Sequence, residues 1–376
     1  MAAECARRSR LHLRGSTRAF GRARTRNRCA FRLLICFVAG LGAIVVSIGF
    51  VGESWADGLS LLVFGDVGVR PDSVSRYRKQ LAVGEVMAMS DVAAPVQALV
   101  LLGDNFYPDG LRANEDVARI RANLVRPYCR FLLFDGPEAA DVESACDVPR
   151  ASRRPVPLFA MLGNHDHRAP ESPGLQRAIS GRFFSNWRMP AGLVEVHELP
   201  GGVSLVVFDS EPVFEGADAE PLADGLRASR GPWRILATHH PIANRSRDSE
   251  VVRHARYRRS VLDAVAASGV EVQLMLAGHE HNLELLAMDA PSPRLHAISG
   301  AGSGARSMHD TDPRRLAGFE EPGFVRVDLV EGQQPPYRAR LVVTLFGLPG
   351  FVGNLVGRGP RELAHRWVDL AGRVGE

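Results

Sequence analysis

Five times along the chain an apolar run stops at a residue type that binds metal ions. FGDVG puts Asp66 after Leu59–Phe64, and LLGDNFYPDG puts Asp104, Asn105 and Tyr107 after the run that ends at Leu102. MLGNHDH puts Asn164, His165, Asp166 and His167 after Pro157–Leu162. LATHHP then supplies His239 and His240, and LAGHEHN supplies His279 and His281. One Asp or His in such a place is ordinarily a cap or a satisfied polar group. Five blocks in one chain, with Gly65, Gly103, Gly163 and Gly278 immediately ahead of four of the key residues, are not explained by capping. A glycine there lets the backbone turn sharply where a strand stops. Ligand sites of α/β sheets lie outside the carboxyl ends of the strands, so polar residues at five such ends converge on one spot.

The elements that must position these residues can be read from the same runs. Leu59–Phe64, Gln97–Leu102, Pro157–Leu162, Val203–Phe208, Arg234–Ala237 and Val272–Leu276 read as strands. Amphipathic stretches near Tyr77–Asp91, Glu115–Tyr128, Leu222–Ala228 and Tyr257–Ala267 read as helices between them. This alternation predicts an α/β fold. Arg294–Ile298, Phe324–Leu329 and Arg338–Leu345 follow with few helices between them, which predicts an antiparallel or mixed part of the sheet. Asp135–Arg154, rich in Pro, Ala and acids, reads as a surface insertion. Leu341–Val356 reads as a last strand and a covering loop, since Gly347, Pro349, Gly350 and Gly353 interrupt any spanning helix. Arg361–Ala371, opened by Pro360, reads as a terminal amphipathic helix. The organisation expected is a leader over 1–56, a catalytic domain over 57–345, and a tail over 346–376 that carries the short helix.

The charge belongs to the leader. The chain has 376 residues, 45% of them hydrophobic, and a net charge of +4. Residues 1–56 carry a net +8 and the remainder a net −4, so nucleic-acid binding is not expected of the folded body. Leu33–Val51 is free of charged residues and just long enough to span a bilayer. It is either a signal peptide, cleaved after Ser54-Trp55-Ala56, or an uncut anchor, and the Arg7-Arg8 pair lies too far upstream for a twin-arginine signal. With arginines ahead of it, either reading exports the body: secreted, periplasmic, or anchored in the membrane by 33–51. Cys129 and Cys146 are the cysteines of the body, open to one disulfide or to two free thiols, and the exported compartment favours the bridge.

The five blocks, in their order from Leu59 to Gly304, resemble those of the calcineurin-like metallophosphoesterases. Common members of that superfamily carry Asp-x-His in the first block, whereas this chain has Asp66-Val67-Gly68. The second block offers Tyr107 instead, three residues after Asp104. That GDNFY pattern resembles the purple acid phosphatases, and GNHDH with the later SGAG (Ser299–Gly302) resembles their small, tartrate-resistant type. The resemblance implies a four-layer α/β/β/α sandwich with mixed sheets and a binuclear metal centre. By the resemblance, Asp66, Tyr107 and His281 bind Fe(III), while Asn164, His239 and His279 bind Fe(II), Zn or Mn, with Asp104 bridging the two. The donor chemistry agrees: hard anionic oxygens suit a trivalent ion, and imidazole and amide oxygen suit a divalent one.

Two such cations clamp a phosphoryl group and generate hydroxide from water, which attacks phosphorus in line with the leaving alkoxide. His165 is the candidate for protonating the leaving oxygen or stabilising the transition state. Asn105, His167 and His240 are candidates for orienting ligands or touching substrate; the family differs at His240, which is equally read as a neighbour packed beside His239. Asp109 and Asp166 are open to a reading as further ligands, but are expected to bond loop amides or orient histidines. Arg245, Arg247, Arg253, Arg256, Arg258 and Arg259 either contact substrate phosphate or, as expected of a charge run, lie on a solvated loop and helix face. The expected activity is acid-phosphatase-like hydrolysis of phosphate monoesters on small molecules or proteins. A diesterase or nucleotide-cleaving member would use the same ligands. A membrane-anchored binding protein with a degenerate site should lack a ligand, and none of the positions is missing.

Overall fold

The computed structural model of the chain describes residues 58–243, 251–289, 292–308, 312–331, 339–349 and 359–376. Its first strands are short, and all but the last, an edge strand, are almost wholly apolar and buried on both faces, the pattern of parallel strands covered on two sides. They are β1 (Ser60–Phe64), β2 (Ala98–Leu101), β3 (Leu158–Ala160) and β4 (Trp187–Arg188), paired in parallel in that order. A second sheet is built from β5 (Val194–Leu199), β6 (Val203–Phe208), β7 (Trp233–Thr238), β8 (Leu274–Ala277), β9 (Leu283–Ala287), β10 (Leu295–Ser299) and β11 (Arg315–Phe319). Its order is β11-β9-β10-β8-β7-β6-β5, parallel from β6 through β8 to β10 and antiparallel at both margins. β12 (Gly323–Val330), β13 (Arg340–Gly347), β14 (Arg361–Asp369) and β15 (Val374–Gly375) then extend the first sheet antiparallel from β1, in the order β15-β14-β13-β12-β1-β2-β3-β4.

Side-chain alternation divides the apolar residues into layers. Leu61, Val63, Ala98 and Val100 share one core with Leu205, Val207, Ile235, Ala237, Leu274 and Leu276, which is the seam between the sheets. The alternate residues Leu62, Phe64, Leu99 and Leu101 face outward to Val83, Val86 and Met87 of α1 (Val74–Ala93). They share that layer with the segment formed by α2 (Asp116–Ile120), a π-helical turn (Arg121–Val125) and α3 (Arg126–Tyr128). The inserted region folds as α4 (Ala139–Glu143), and α5 (Ser172–Arg182) covers the same side. On the far side Val206, Phe208, Leu236 and Met275 pack against α7 (Glu220–Ala228) and α8 (Val251–Ser268), with α6 (Glu211–Phe214) at their edge. The architecture is the four-layer α/β/β/α sandwich with mixed sheets that the resemblance implied.

The C-terminal expectation is corrected. Arg361–Asp369 is a strand and not a helix, and it pairs with β13 along its length. Leu363 and Trp367, four apart, imitate a helical stripe, but β13 presents an open edge whose amides and carbonyls need partners. The sheet therefore runs past residue 345, and β14 and β15 belong to the same body as the domain expected to end there. Cys129 and Cys146 form a disulfide, which ties the Asp135–Arg154 insertion to the outer core. No helix among the described residues is long and apolar enough to cross a membrane. The leader with Leu33–Val51, Arg245, Arg247, and residues 350–356 of the expected covering loop lie outside the described residues.

Candidate metal centre

The carboxyl ends of β1, β2, β3, β7 and β8 bring the residues of the five blocks into two clusters. In the first, the Tyr107 hydroxyl donates to Asp66 Oδ1 at 2.9 Å and lies 3.0 Å from His281 Nε2, with His281 Nε2 3.2 Å from Asp66 Oδ1. In the second, Asn164 Oδ1 is 3.1 Å from His239 Nε2 and 3.2 Å from His279 Nδ1, and the two ring nitrogens are 3.2 Å apart. Asp104 joins them: its Oδ1 is 3.6 Å from His239 Nε2, and donor atoms of Asp66, Asp104 and His239 all lie within 4.8 Å of one another. All seven expected ligand residues are thus in one place.

Backbone conformation marks the same positions. Asp66, Asp104 and His279 have φ of 58°, 54° and 67°, and they are the non-glycine residues with left-handed backbone among those described. Such conformations cost about 1–3 kcal/mol each and persist where the surroundings impose them, as at functional sites. The loops are also sewn together through main-chain bonds, Asp66 N to Gly103 O at 3.0 Å, Gly68 N to Asp104 O at 3.1 Å and Tyr107 N to Gly68 O at 2.7 Å. A Cβ on Gly68 would fall 2.0 Å from the Asn105 carbonyl oxygen, and one on Gly163 would fall 2.3 Å from Asp104 Oδ1. The missing histidine of the first block and the presence of Tyr107 are therefore one structural fact: the tyrosine loop occupies the space a side chain at 68 would need.

The donor set fits cations. His239 Nδ1 donates to the Leu102 carbonyl at 2.8 Å, so Nε2 of the neutral ring carries a lone pair facing the amide oxygen of Asn164. Acceptors pointed at one another in a buried site repel unless a proton or a metal ion lies among them. Burial lowers the pKa of His239, but the carboxylates of Asp104 and Asp66 reverse this and raise it, so positive charge is favoured at this point. Burial works against the Asp66 carboxylate, yet the hydrogen bond and charge of His281 bring its pKa down to about 2. Tyr107 goes the other way; burial first, then the charges of Asp104 and Asp66, raise its phenol well above the ordinary value. Only a strongly Lewis-acidic ion would hold it as a phenolate near neutrality.

His165 is partly exposed beside the two clusters. Its Nδ1 donates to the Pro108 carbonyl, its Nε2 lies 4.0 Å from Asp104 Oδ2, and its ring meets Tyr107 edge-on at 4.5 Å. Burial lowers its pKa, with the Asp104 carboxylate opposing. Arg168 also donates to the Pro108 carbonyl at 3.1 Å and reaches within 3.4 Å of His165 Nε2. Asp166 accepts from the amides of Asn105, Phe106 and Gly163 and from Gln176 Nε2, holding the second and third loops as expected. Burial and the Asp104 charge raise it to about 6 against those bonds.

Of the other candidates, His240 stays beside the ligands, its donor atom within 4.8 Å of those of His239 and His279, while the rest turn to partners of their own. Asn105 donates inward to the Met161 carbonyl at 2.8 Å and to Gln176 at 2.9 Å. His240 stacks on Phe214 at 4.1 Å and bonds Ser210 Oγ at 2.9 Å; burial and the charges of His279 and His239 push its pKa well down. His167 pairs with Asp209 at 3.0 Å, and although burial opposes it, that carboxylate raises its pKa. Asp109 lies 3.7 Å from Arg168. Arg253 pairs with Glu215 at 2.6 Å and Arg256 bonds the Phe214 carbonyl at 2.9 Å.

Sequence reasoning did not single out Asp209-Ser210-Glu211, Arg168, Arg119 or Gln176. The first of these had a signal: the run Val203–Phe208 also ends in an acid, though without a glycine ahead of it.

The comparisons with known proteins point the same way. The sequence profile of the calcineurin-like phosphoesterases matches residues 59–283. The chain is 25% identical over 297 residues to purple acid phosphatase 4 of Arabidopsis thaliana, covering 73% of this chain and 78% of that one. It is 24% identical over 289 residues to the human tartrate-resistant acid phosphatase type 5, covering 69% and 79%. Among solved structures, GAP50, the anchor in the inner membrane complex of Plasmodium, shares the fold with a TM-score of 0.57 at 15% identity, covering 78% of this chain and 86% of that one.

Proposed function

Given that the chain belongs to the calcineurin-like phosphoesterase family, we propose that it hydrolyses phosphate monoesters at a binuclear metal centre, in the manner of an acid phosphatase. The observation that carries this reading is the pair of three-residue clusters joined by Asp104, with Tyr107 in the cluster of Asp66. Asp66, Tyr107 and His281 would hold an Fe(III); Asn164, His239 and His279 would hold Fe(II), Zn or Mn; Asp104 would touch both. Bound there, the two ions would supply Lewis acidity and a nucleophile derived from water.

The chain's own residues do the rest. Leu102, through its carbonyl, fixes the tautomer of His239. Asp166 keeps the loops of Asp104 and Asn164 at a fixed separation. In the reaction a bond forms from phosphorus to the water oxygen, the ester P–O bond breaks, and the proton given up by the water passes to solvent, from which His165 is later reprotonated. The leaving alkoxide needs a proton, and His165, once protonated at Nε2 in place of the contact that nitrogen accepts from Arg168, is placed to give one, its Nδ1 being tied to Pro108. The phosphorylated substrate is a small molecule or a protein. The Cys129–Cys146 bond supports a place outside the cytoplasm, secreted, periplasmic or tethered by 33–51.

The test is metal analysis, an absorption spectrum and rates on aryl monoester and diester phosphates with the body from Asp57 onward. Two metals per chain, a visible phenolate band and faster monoester cleavage are expected. A faster diester rate would move the assignment to a diesterase, and a chain that takes up no iron, zinc or manganese would end the enzymatic reading.

A further inference from the structure

The loop after β1 has no side chain at Gly68 with which to hold itself against the Tyr107 loop. Beyond the main-chain bonds that join the two loops, a side-chain hold comes from α2 and the π-helical turn that follows it. Arg119 is 3% exposed and Asn123 is fully buried. One guanidinium nitrogen serves two different loops: Nη2 donates to the Gly68 carbonyl at 2.8 Å and to the Tyr107 carbonyl at 2.9 Å. Arg119 Nε donates to Asn123 Oδ1 at 2.9 Å, and Asn123 Nδ2 donates to the Val69 carbonyl at 2.6 Å. Glu115 stands 3.4 Å from Nη1, and the guanidinium lies 5.6 Å from the centre of the Phe106 ring. A buried cation is costly unless its donors are satisfied. Here the Nη2 donors go to main-chain carbonyls flanking Asp66 and Tyr107, in a helix that carries a π turn, a feature frequent at functional sites.

We propose that Arg119 and Asn123 are positioning residues that lock the Gly68–Val69 and Tyr107 backbones together and so aim the Tyr107 hydroxyl at Asp66 and His281. Their consequence for metal retention rests on the two-ion reading above; the loop lock itself does not.

Arg119→Lys in the full chain keeps the charge but has one nitrogen on a flexible stem, so it cannot hold the Gly68 and Tyr107 carbonyls and also Asn123 Oδ1 as the rigid guanidinium does. In metal-free protein, hydrogen–deuterium exchange in peptides covering residues 66–70 and 104–110 should accelerate by about tenfold or more, while peptides holding Asn164 and His239 keep wild-type rates. After loading with iron and zinc, the variant should bind one ion normally and the other about ten- to a hundredfold more weakly, with a shifted or weakened phenolate band. Asn123→Ser leaves the buried charge in place and gives a second arm, in which the 66–70 peptide accelerates. Unchanged exchange in these peptides overturns the proposal, as does equal acceleration along the whole chain, the mark of a general stabiliser. A wild-type chain that binds no metal, with acceleration confined to the two loops, supports the lock and refutes the two-ion reading alone.

Discussion

The Tyr107 hydroxyl donates to the Asp66 carboxylate at 2.9 Å, although the two residues are 41 positions apart. Burial and the charges of Asp104 and Asp66 hold the phenol proton on, so the bond runs from a neutral phenol to an anion. An ion entering between them must displace that proton. Iron-loaded protein is therefore expected to show a broad visible absorption band that Tyr107→Phe lacks, together with weaker iron binding in the variant. A Tyr107→Phe protein that is fully metallated, colourless and fully active would remove the purple subclass and leave the family intact.

Gly68→Ala tests whether the tyrosine loop and a side chain at 68 exclude each other. The added Cβ would stand 2.0 Å from the Asn105 carbonyl oxygen and 2.3 Å from the Phe106 nitrogen, both main-chain atoms that cannot turn aside. Strain of this kind costs about 1–3 kcal/mol and shifts backbone. Thermal unfolding should drop accordingly, and metal analysis should show loss at the Tyr107 position first. Gly68→His, which writes in the Asp-x-His of other members, should fare worse than Ala. A Gly68→His protein with normal melting temperature and two tightly bound metals would show that the loops can separate without penalty.

These predictions draw on parts of the molecule that were unequally visible in the sequence. Strands such as β1, β6 and β8 were legible because they are buried on both faces and read as unbroken apolar runs. The ligand positions were legible because Asp66, Asp104, Asn164 and His279 follow a glycine at a strand end. β5, sequence VEVHEL, is a partly exposed edge strand; its Val194–His197 alternation is a strand signal, but it is short, charged and unlike the unbroken apolar runs of its neighbours. β14 was misread because its state depends on the edge of β13, a tertiary partner invisible to local periodicity. Arg119 and Asn123 left no mark at all, since their targets are carbonyls that any residue carries.

Asp91 should govern acid resistance. It is fully buried, bonded to Arg154 and Arg130, and it accepts the Val96 amide. Burial raises its pKa, but those partners more than compensate and bring it below the ordinary value. A carboxyl lowered by folding adds stability above its unfolded pKa of about 3.9 and loses it as pH falls through the folded value. Asp91→Asn should thus be destabilised by about 3 kcal/mol at neutral pH, where two arginines lose their counter-ion. The gap from wild type should close below about pH 4. Denaturant melts of both proteins at neutral pH and across that window measure it; a gap that stays constant to low pH would mean that the loss is one of packing.

His165 makes the sharpest kinetic prediction, because proton donation and charge stabilisation respond differently to the leaving group. Its Nδ1 is committed to the Pro108 carbonyl, so the titrating nitrogen is Nε2, on the side of Asp104. Burial lowers its pKa, which places the protonated form in the acidic range and makes donation fade as pH rises through that value. His165→Asn keeps a polar side chain but has no proton to give. For an alkyl phosphate, whose alkoxide leaves poorly without protonation, kcat should fall by about 10²–10⁴-fold. For an aryl phosphate with an acidic phenol the fall should be much smaller, and the variant's basic limb in the pH profile should flatten. Equal losses on both substrates with an unaltered basic limb would show that His165 stabilises charge or holds the loop through Pro108, and would leave the leaving oxygen to take its proton from water.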